Sequence, residues 1–126
     1  MDWGRYVDVD LSTQHAVYYD VDGKVLWESG IVSGKPATPT PTGVYILTDK
    51  QSPATLQGFN STTTVNYWMP FAGSAVGLND SATQSSFGGT AYKDGFGTRG
   101  SIDLPPDKAR ELFELINVGE AVVVHW

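Results

Sequence analysis

Four side chains able to exchange protons or accept and donate hydrogen bonds fall within six positions: Thr98, Arg99, Ser101 and Asp103. They sit in the glycine-spaced stretch from Gly95 to Leu104, where Gly95, Gly97 and Gly100 let the backbone bend sharply before a short apolar strand. Ser101 follows Gly100, a position that can present its hydroxyl. A serine attacks only when a base removes its proton. The usual base is histidine, and the chain has only His15 and His125. Neither adjoins Ser101 in sequence; a turn residue and a strand-end residue are the plain readings of the two. Arg99 carries a permanent charge and cannot accept a proton. Asp103, two residues on, shares a face with Ser101 if the strand is regular. With a reference pKa of ~3.9 it is a poor base near neutrality unless desolvated. A Ser/Asp pair beside Arg therefore suits binding of an anionic or peptide-like ligand better than acyl transfer. Backbone N–H groups around Gly100 and Ser101 remain candidates for an oxyanion pocket.

Other chemistries find less support. Asp8/Asp10 and Asp20/Asp22 are carboxylate pairs that solvated strand faces explain. No histidine pair or EF-hand pattern accompanies them, so no metal is expected. The chain has no cysteine, hence no disulfide or thiolate site. Gly95-Phe96-Gly97 with Gly100 lacks the strand–helix context of a phosphate or dinucleotide loop, and no cofactor is expected. A net charge of -6 is the opposite of a nucleic-acid binder's footprint. No apolar run approaches the roughly 20 residues of a membrane span. The first residues, Met-Asp-Trp-Gly-Arg, lack the pattern of a signal peptide.

The positioning elements are mostly strands. A length of 126 residues fits one domain over 1–126. Tyr6, Val7, Val9 and Leu11 interleave with Asp8 and Asp10, a strand pattern. Ser12-Thr13-Gln14 is a short polar turn, and Ala16 to Val21 a second strand. Asp22-Gly23 predicts a type I′ hairpin into a strand over Lys24 to Ser33. Ser33 to Gly43 carries three prolines and reads as a stiff, extended connection. A strand over Val44 to Thr48 follows, then a long polar loop over Gln51 to Thr64. Val65 to Phe71 is an aromatic strand whose Tyr67, Trp68 and Phe71 line either a cleft or the core; Tyr92 and Phe96 carry the same alternative. Ala75 to Leu78 is a short strand and Ala82 to Phe87 a helical turn. The one main helix is expected over about Pro106 to Asn117, with Ala109, Leu112, Phe113, Leu115 and Ile116 as its apolar stripe. Ala121 to Trp126 closes the chain as a strand.

Five stretches in this order resemble the catalytic domain of the L,D-transpeptidase (YkuD-type) family over nearly the whole chain: Val32-Ser33-Gly34-Lys35 leading to Pro39-Thr40-Pro41-Thr42-Gly43-Val44-Tyr45; Tyr67-Trp68-Met69-Pro70-Phe71; Gly77-Leu78-Asn79-Asp80; Ser86-Phe87-Gly88-Gly89; and Gly100-Ser101-Ile102-Asp103-Leu104-Pro105. The resemblance implies a β-sandwich-like fold with a helix packed on it. It also implies peptidoglycan 3-3 cross-linking, in which a cysteine attacks a stem peptide and passes the acyl group to an amine, and an extracytoplasmic location in the cell envelope.

The resemblance also marks departures. The family's first histidine falls on Asn79, its turn histidine on Arg99, its nucleophilic cysteine on Ser101, and its Asn/Arg position on Asp103; Thr98, Gly100 and Ile102 fit. A hydroxyl is far less acidic than a thiol of pKa about 8.5, and neither Asn79 nor Arg99 is a base. The expectation is a catalytically inactive L,D-transpeptidase-like domain, either a natural pseudoenzyme or a deliberately altered form of an active parent. It would bind cell-wall stem peptides through Tyr67, Trp68, Thr98, Gly100 and Asp103. The alternatives are a structural β module without ligand, and a serine-based acyltransferase or hydrolase using Ser101 with Asp80, Asp103 or His125.

Overall fold

The alternation over the first strand becomes a sheet with one buried face. In the computed structural model, which describes residues 4–126 apart from 59–60, 74–75, 82–86 and 96, β1 (Tyr6–Asp10) turns Val7 and Val9 fully inward. β2 (His15–Tyr19) buries Ala16 and Tyr18 in the same way. With β3 (Val25–Gly30), β4 (Gly43–Ile46) and β10 (Ala121–His125) they form one sheet in the order β3-β2-β1-β10-β4. Only the β1–β10 pair is parallel; the β1–β2, β2–β3 and β4–β10 pairs are antiparallel. The β2–β3 turn is not the expected type I′. That turn needs positive φ at both central residues, and here Gly23 alone has it, at 87°. The chain instead closes a wider loop, in which the Asp20 N–H reaches the Lys24 carbonyl at 2.8 Å.

A second sheet, in the order β7-β8-β9, sets the frame of the candidate site. It comprises β7 (Trp68–Ala72), β8 (Val76–Asp80) and β9 (Ile102–Leu104). β8 and β9 run parallel, so residues 24 positions apart in sequence, Asn79 and Asp103, become lateral neighbours. The expected loop over Gln51 to Thr64 is instead largely a hairpin, β5 (Ala54–Gly58) with β6 (Ser61–Val65). β-Branched threonines suit strands. Their polarity hid the strands, because among the described residues only Ala54, Leu56 and Val65 turn toward an apolar neighbour, Trp68.

The helix α1 spans Pro106–Leu115, two residues short of the expected end at Asn117. Pro106 opens it, where a missing N–H costs nothing, and Asp107 lies in its first turn. Ile116 leaves the helix with extended backbone (φ -76°, ψ 148°) and is fully buried. Of the expected stripe, Ala109, Leu112 and Ile116 enter the core, Phe113 packs at its margin, and Leu115 is exposed. One continuous cluster joins Val7 and Val9 of the first sheet, Leu78 and Ile102 of the second, and Leu112 of the helix. The expected mostly-β sandwich with one helix is therefore the observed architecture. The helical turn expected over Ala82 to Phe87 falls, at 82–86, outside the described residues, and so does Phe96.

This packing separates two neighbouring leucines. Leu112→Ala is expected to lower unfolding free energy by about 2–5 kcal/mol, the range for a cavity in a close-packed core. Leu115→Ala should shift it by less than about 0.5 kcal/mol. Urea denaturation of both variants checks this; equal losses would contradict the assigned helix face.

Candidate functional site

The site is built where β8 and β9 lie side by side. Asn79 is 6% exposed. Its Nδ2 donates to the Asp80 carbonyl and to Asp103 Oδ1, each at 3.0 Å. The amide is thus held between a backbone acceptor and a carboxyl. Asp80, 4% exposed, accepts through Oδ1 the backbone N–H groups of Asn66 (2.9 Å) and Tyr67 (2.8 Å). It acts as a cap that fixes the turn leading into β7. Burial pushes the Asp103 carboxyl up to about 6; the Asn79 hydrogen bond works against that rise, and the nearby Asp80 charge adds to it. The desolvation that the sequence left as a condition for Asp103 to act as a base is met.

The turn before β9 is fixed by its own threonine and by a distant segment. Thr98 Oγ1 donates to the Ser101 carbonyl at 2.5 Å and accepts the Gly100 N–H at 3.0 Å. That Gly100 N–H is therefore engaged within the turn, which removes it from the oxyanion pocket expected around Gly100 and Ser101. Gly100 is buried with φ at 132°, a backbone region that disfavours any residue with a Cβ. Ser101 is half-buried and Arg99 exposed.

The proline-rich segment is a clamp rather than a simple connection. Val32 and Asp103 exchange both backbone hydrogen bonds, at 3.1 and 2.8 Å. The Thr98 N–H reaches Ser33 O, and the Lys35 N–H reaches Thr98 O, both at 3.0 Å. Thr38 Oγ1 donates to Thr98 O at 3.0 Å. Thr40, 3% exposed, accepts the Gly34 N–H at 3.0 Å and donates to Gly100 O at 2.7 Å through one hydroxyl. A Cβ at Gly34 would stand 2.0 Å from the Thr38 carbonyl, so only glycine permits the fold-back. Behind this segment Gln14, 1% exposed, donates to Ser33 Oγ (2.8 Å) and accepts the Ser33 N–H (3.1 Å).

Sequence reasoning missed Thr38, Thr40 and Gln14 as positioning residues. For the two threonines a signal existed, their placement beside prolines at Pro39 and Pro41, which hold the chain extended. For Gln14 none did, since a polar residue in a polar turn looks solvated.

The remaining expected residues divide. Tyr67 is half-buried, with its ring 5.1 Å from that of Phe113 on α1. Trp68 and Phe71 are 4% and 3% exposed, so the core alternative applies to both, and Trp68 presents no ring for stacking. Its ring lies close over Gly77, where an added Cβ would meet Trp68 at 2.9 Å. Tyr92 is half-buried, 6.1 Å from the Trp126 ring. His15 Nε2 meets Glu28 Oε1 at 2.9 Å and His125 Nε2 meets Asp8 Oδ1 at 2.7 Å, both on the first sheet. The Asp8 hydrogen bond raises the His125 pKa. Among the described residues no group of three His, Asp or Glu side chains is placed to hold a metal ion, and no helix is long and apolar enough to cross a membrane.

Comparison with known proteins bears on this geometry. The family model of the YkuD L,D-transpeptidase catalytic domain matches residues 4–124. No match is found among curated proteins. A solved cysteine-to-serine mutant of the Enterococcus faecium L,D-transpeptidase is 46% identical with a TM-score of 0.92; the match covers 97% of this chain and 50% of that one. The E. faecium catalytic domain acylated by ertapenem is 44% identical (TM-score 0.84), with 97% of each chain covered. The L,D-transpeptidase from Mycobacterium smegmatis, at 20% identity and TM-score 0.82, covers 97% of this chain and 58% of its own and shares the fold. The chain thus spans about half the length of the longer E. faecium protein it matches.

Two outcomes test the site. A carboxyl whose folded pKa lies above its ordinary value of 3.8 costs stability: nothing while both states are protonated, an increasing amount as pH rises, and the full amount above about 6. Asp103→Asn should therefore stabilise the fold at pH 7–8, by at most on the order of 3 kcal/mol, and leave it unchanged below pH 4. Thermal melts across that range check this, and a pH-independent difference contradicts it. Thr40→Val strands the Gly34 N–H and the Gly100 carbonyl and should cost about 1–3 kcal/mol. Faster amide exchange at Gly34 and Lys35 is the expected signature; unchanged exchange would show the clamp does not depend on this hydroxyl.

Proposed function

Because this chain belongs to the L,D-transpeptidase catalytic domain family, we propose that it is a catalytically inactive member that keeps a cleft for cell-wall stem peptides. Residues 1–126 form a single domain on this reading, working outside the cytoplasm. One observation carries the proposal. At the positions that the family resemblance equates with two histidines and the nucleophilic cysteine stand Asn79, Arg99 and Ser101. The Asn79 amide is engaged by Asp103 Oδ1 and the Asp80 carbonyl. An amide cannot take a proton near neutral pH, and a guanidinium has none of its lone pairs to offer. With a hydroxyl in place of a thiol, the nucleophile needs more help from a base at the same positions that lack one.

Binding survives this loss on physical grounds. The turn is held by Thr98, Thr38 and Thr40 and by backbone pairing. Tyr67, Thr98 and Asp103 are the residues through which a peptide would be met; the burial of Trp68 and of Gly100, whose N–H and carbonyl are both engaged, assigns those two to supporting the cleft.

One observation favours a second reading, residual serine chemistry. Asp103, two residues from Ser101 on β9, is pushed up to about 6, into the range where a carboxylate serves as a general base. A fluorophosphonate adduct on Ser101 at pH 7–8 would favour this reading over an inactive domain.

The decisive experiment is covalent. Incubation with ertapenem, followed by intact-mass spectrometry, should give no adduct on this chain and no acyl transfer between stem tetrapeptides. The combined change Asn79→His, Arg99→His, Ser101→Cys should then gain an ertapenem adduct on the introduced thiol, because the supporting backbone is intact. Acyl transfer by the unaltered chain, abolished by Ser101→Ala, would overturn the proposal.

A further inference from the structure

On the outer side of the clamp lies an open groove of about 470 Å³ lined by Lys35, Pro36, Ala37, Tyr92, Lys93, Gly95 and Gly97. It is within the size range of small-ligand sites. Two features set it apart from the surrounding surface. The chain carries a net charge of -6, yet both titratable side chains lining the groove other than Tyr92 are lysines. Three other basic groups are engaged: Arg5 with Asp20, Lys108 with Glu111, and Lys50 with the Ile116 carbonyl. Lys35 and Lys93 pair with no carboxylate among the described residues, and Lys93 Nζ lies 5.7 Å over the Tyr92 ring.

The groove is also packed close to the turn. A Cβ on Gly97 would stand 2.4 Å from the Tyr92 carbonyl and 2.6 Å from Lys35 Cα. Only glycine lets the Tyr92 turn and the Lys35 backbone close up there. The next residue, Thr98, accepts the Lys35 N–H at 3.0 Å. The groove floor and the turn that presents Ser101 are therefore one backbone unit.

We propose that this groove is a binding site for the carboxylate-bearing end of a peptide, with Lys35 and Lys93 meeting the carboxylate and Pro36, Ala37 and the Tyr92 ring meeting aliphatic side chains. This rests on the reading of the domain as a stem-peptide binder and extends it with an anion site beside the turn. A peptide fits better than a phosphate polymer. Lysine can meet either anion; what favours the peptide is the apolar surface of Pro36, Ala37 and the Tyr92 ring beside the two charges.

Three ligands separate the possibilities by NMR titration of the folded chain: a stem tetrapeptide with a free terminal carboxylate, the same peptide as its terminal amide, and inorganic tripolyphosphate. The acid should bind about threefold more tightly than the amide. Lys35→Gln with Lys93→Gln should weaken acid binding about threefold, within the range of exposed ion pairs, and bring it level with the amide. The largest amide shifts should fall on Gly95, Gly97 and Lys35. Equal binding of acid and amide, full affinity in the double variant, shifts confined to other residues, or tighter binding of tripolyphosphate would each overturn the assignment. If neither peptide binds the unaltered chain, the stem-peptide reading falls with it; if the peptide binds but ignores the lysines, only the groove does.

Discussion

The Thr40 hydroxyl holds together the two halves of the candidate site. It accepts the Gly34 N–H and donates to the Gly100 carbonyl, joining residues 60 positions apart at a point that water does not reach. Removing one partner of a buried hydrogen bond costs more than the bond itself contributes, because the group left behind is desolvated and unmet. The geometry of the turn at Gly100 therefore depends on the segment from Val32 to Thr40 staying folded back. That segment depends in turn on Gly34, where no side chain fits, and on the buried Gln14 that braces Ser33. Polar contacts of this kind specify one arrangement more sharply than apolar packing, which tolerates small displacements.

Around this frame the electrostatics are uneven. Two carboxyl groups, Asp80 and Asp103, lie on adjacent strands near one amide. Asp80 is met by two backbone N–H groups. Asp103 has one side-chain donor and a neighbouring negative charge, and burial raises it to about 6. The site thus sets a carboxyl held by backbone donors beside one whose pKa burial raises. The lysines flanking the groove on the far side of the same turn carry the opposite charge.

The sequence showed the sheet that has one wet face and one dry one. β1, β2 and β10 alternate or run apolar, and all appear where expected. The hairpin over Ala54–Gly58 and Ser61–Val65 was illegible because its apolar contacts are few and its neighbour is a single tryptophan. The helix end was misplaced because Ile116 continues the apolar stripe while its backbone has already turned extended; burial of the side chain, not helical geometry, explains the residue type. In the site, the residues with chemical names were visible at once, and the family resemblance located them. The ones that hold them were not. Thr40 and Gln14 are ordinary polar residues until the fold shows what their oxygens face.

That division bears on why such a domain can lose its chemistry and keep its shape. The contacts fixing the turn come from backbone N–H and C=O groups, three threonine hydroxyls and two glycines that admit no Cβ. Beside them Asn79 and Asp103 pair with each other. The clamp is therefore most exposed to a change at Thr40, which would strand two buried backbone groups, or at Gly34, where no Cβ fits. Whether the residues that the turn presents react is decided by their own protonation chemistry.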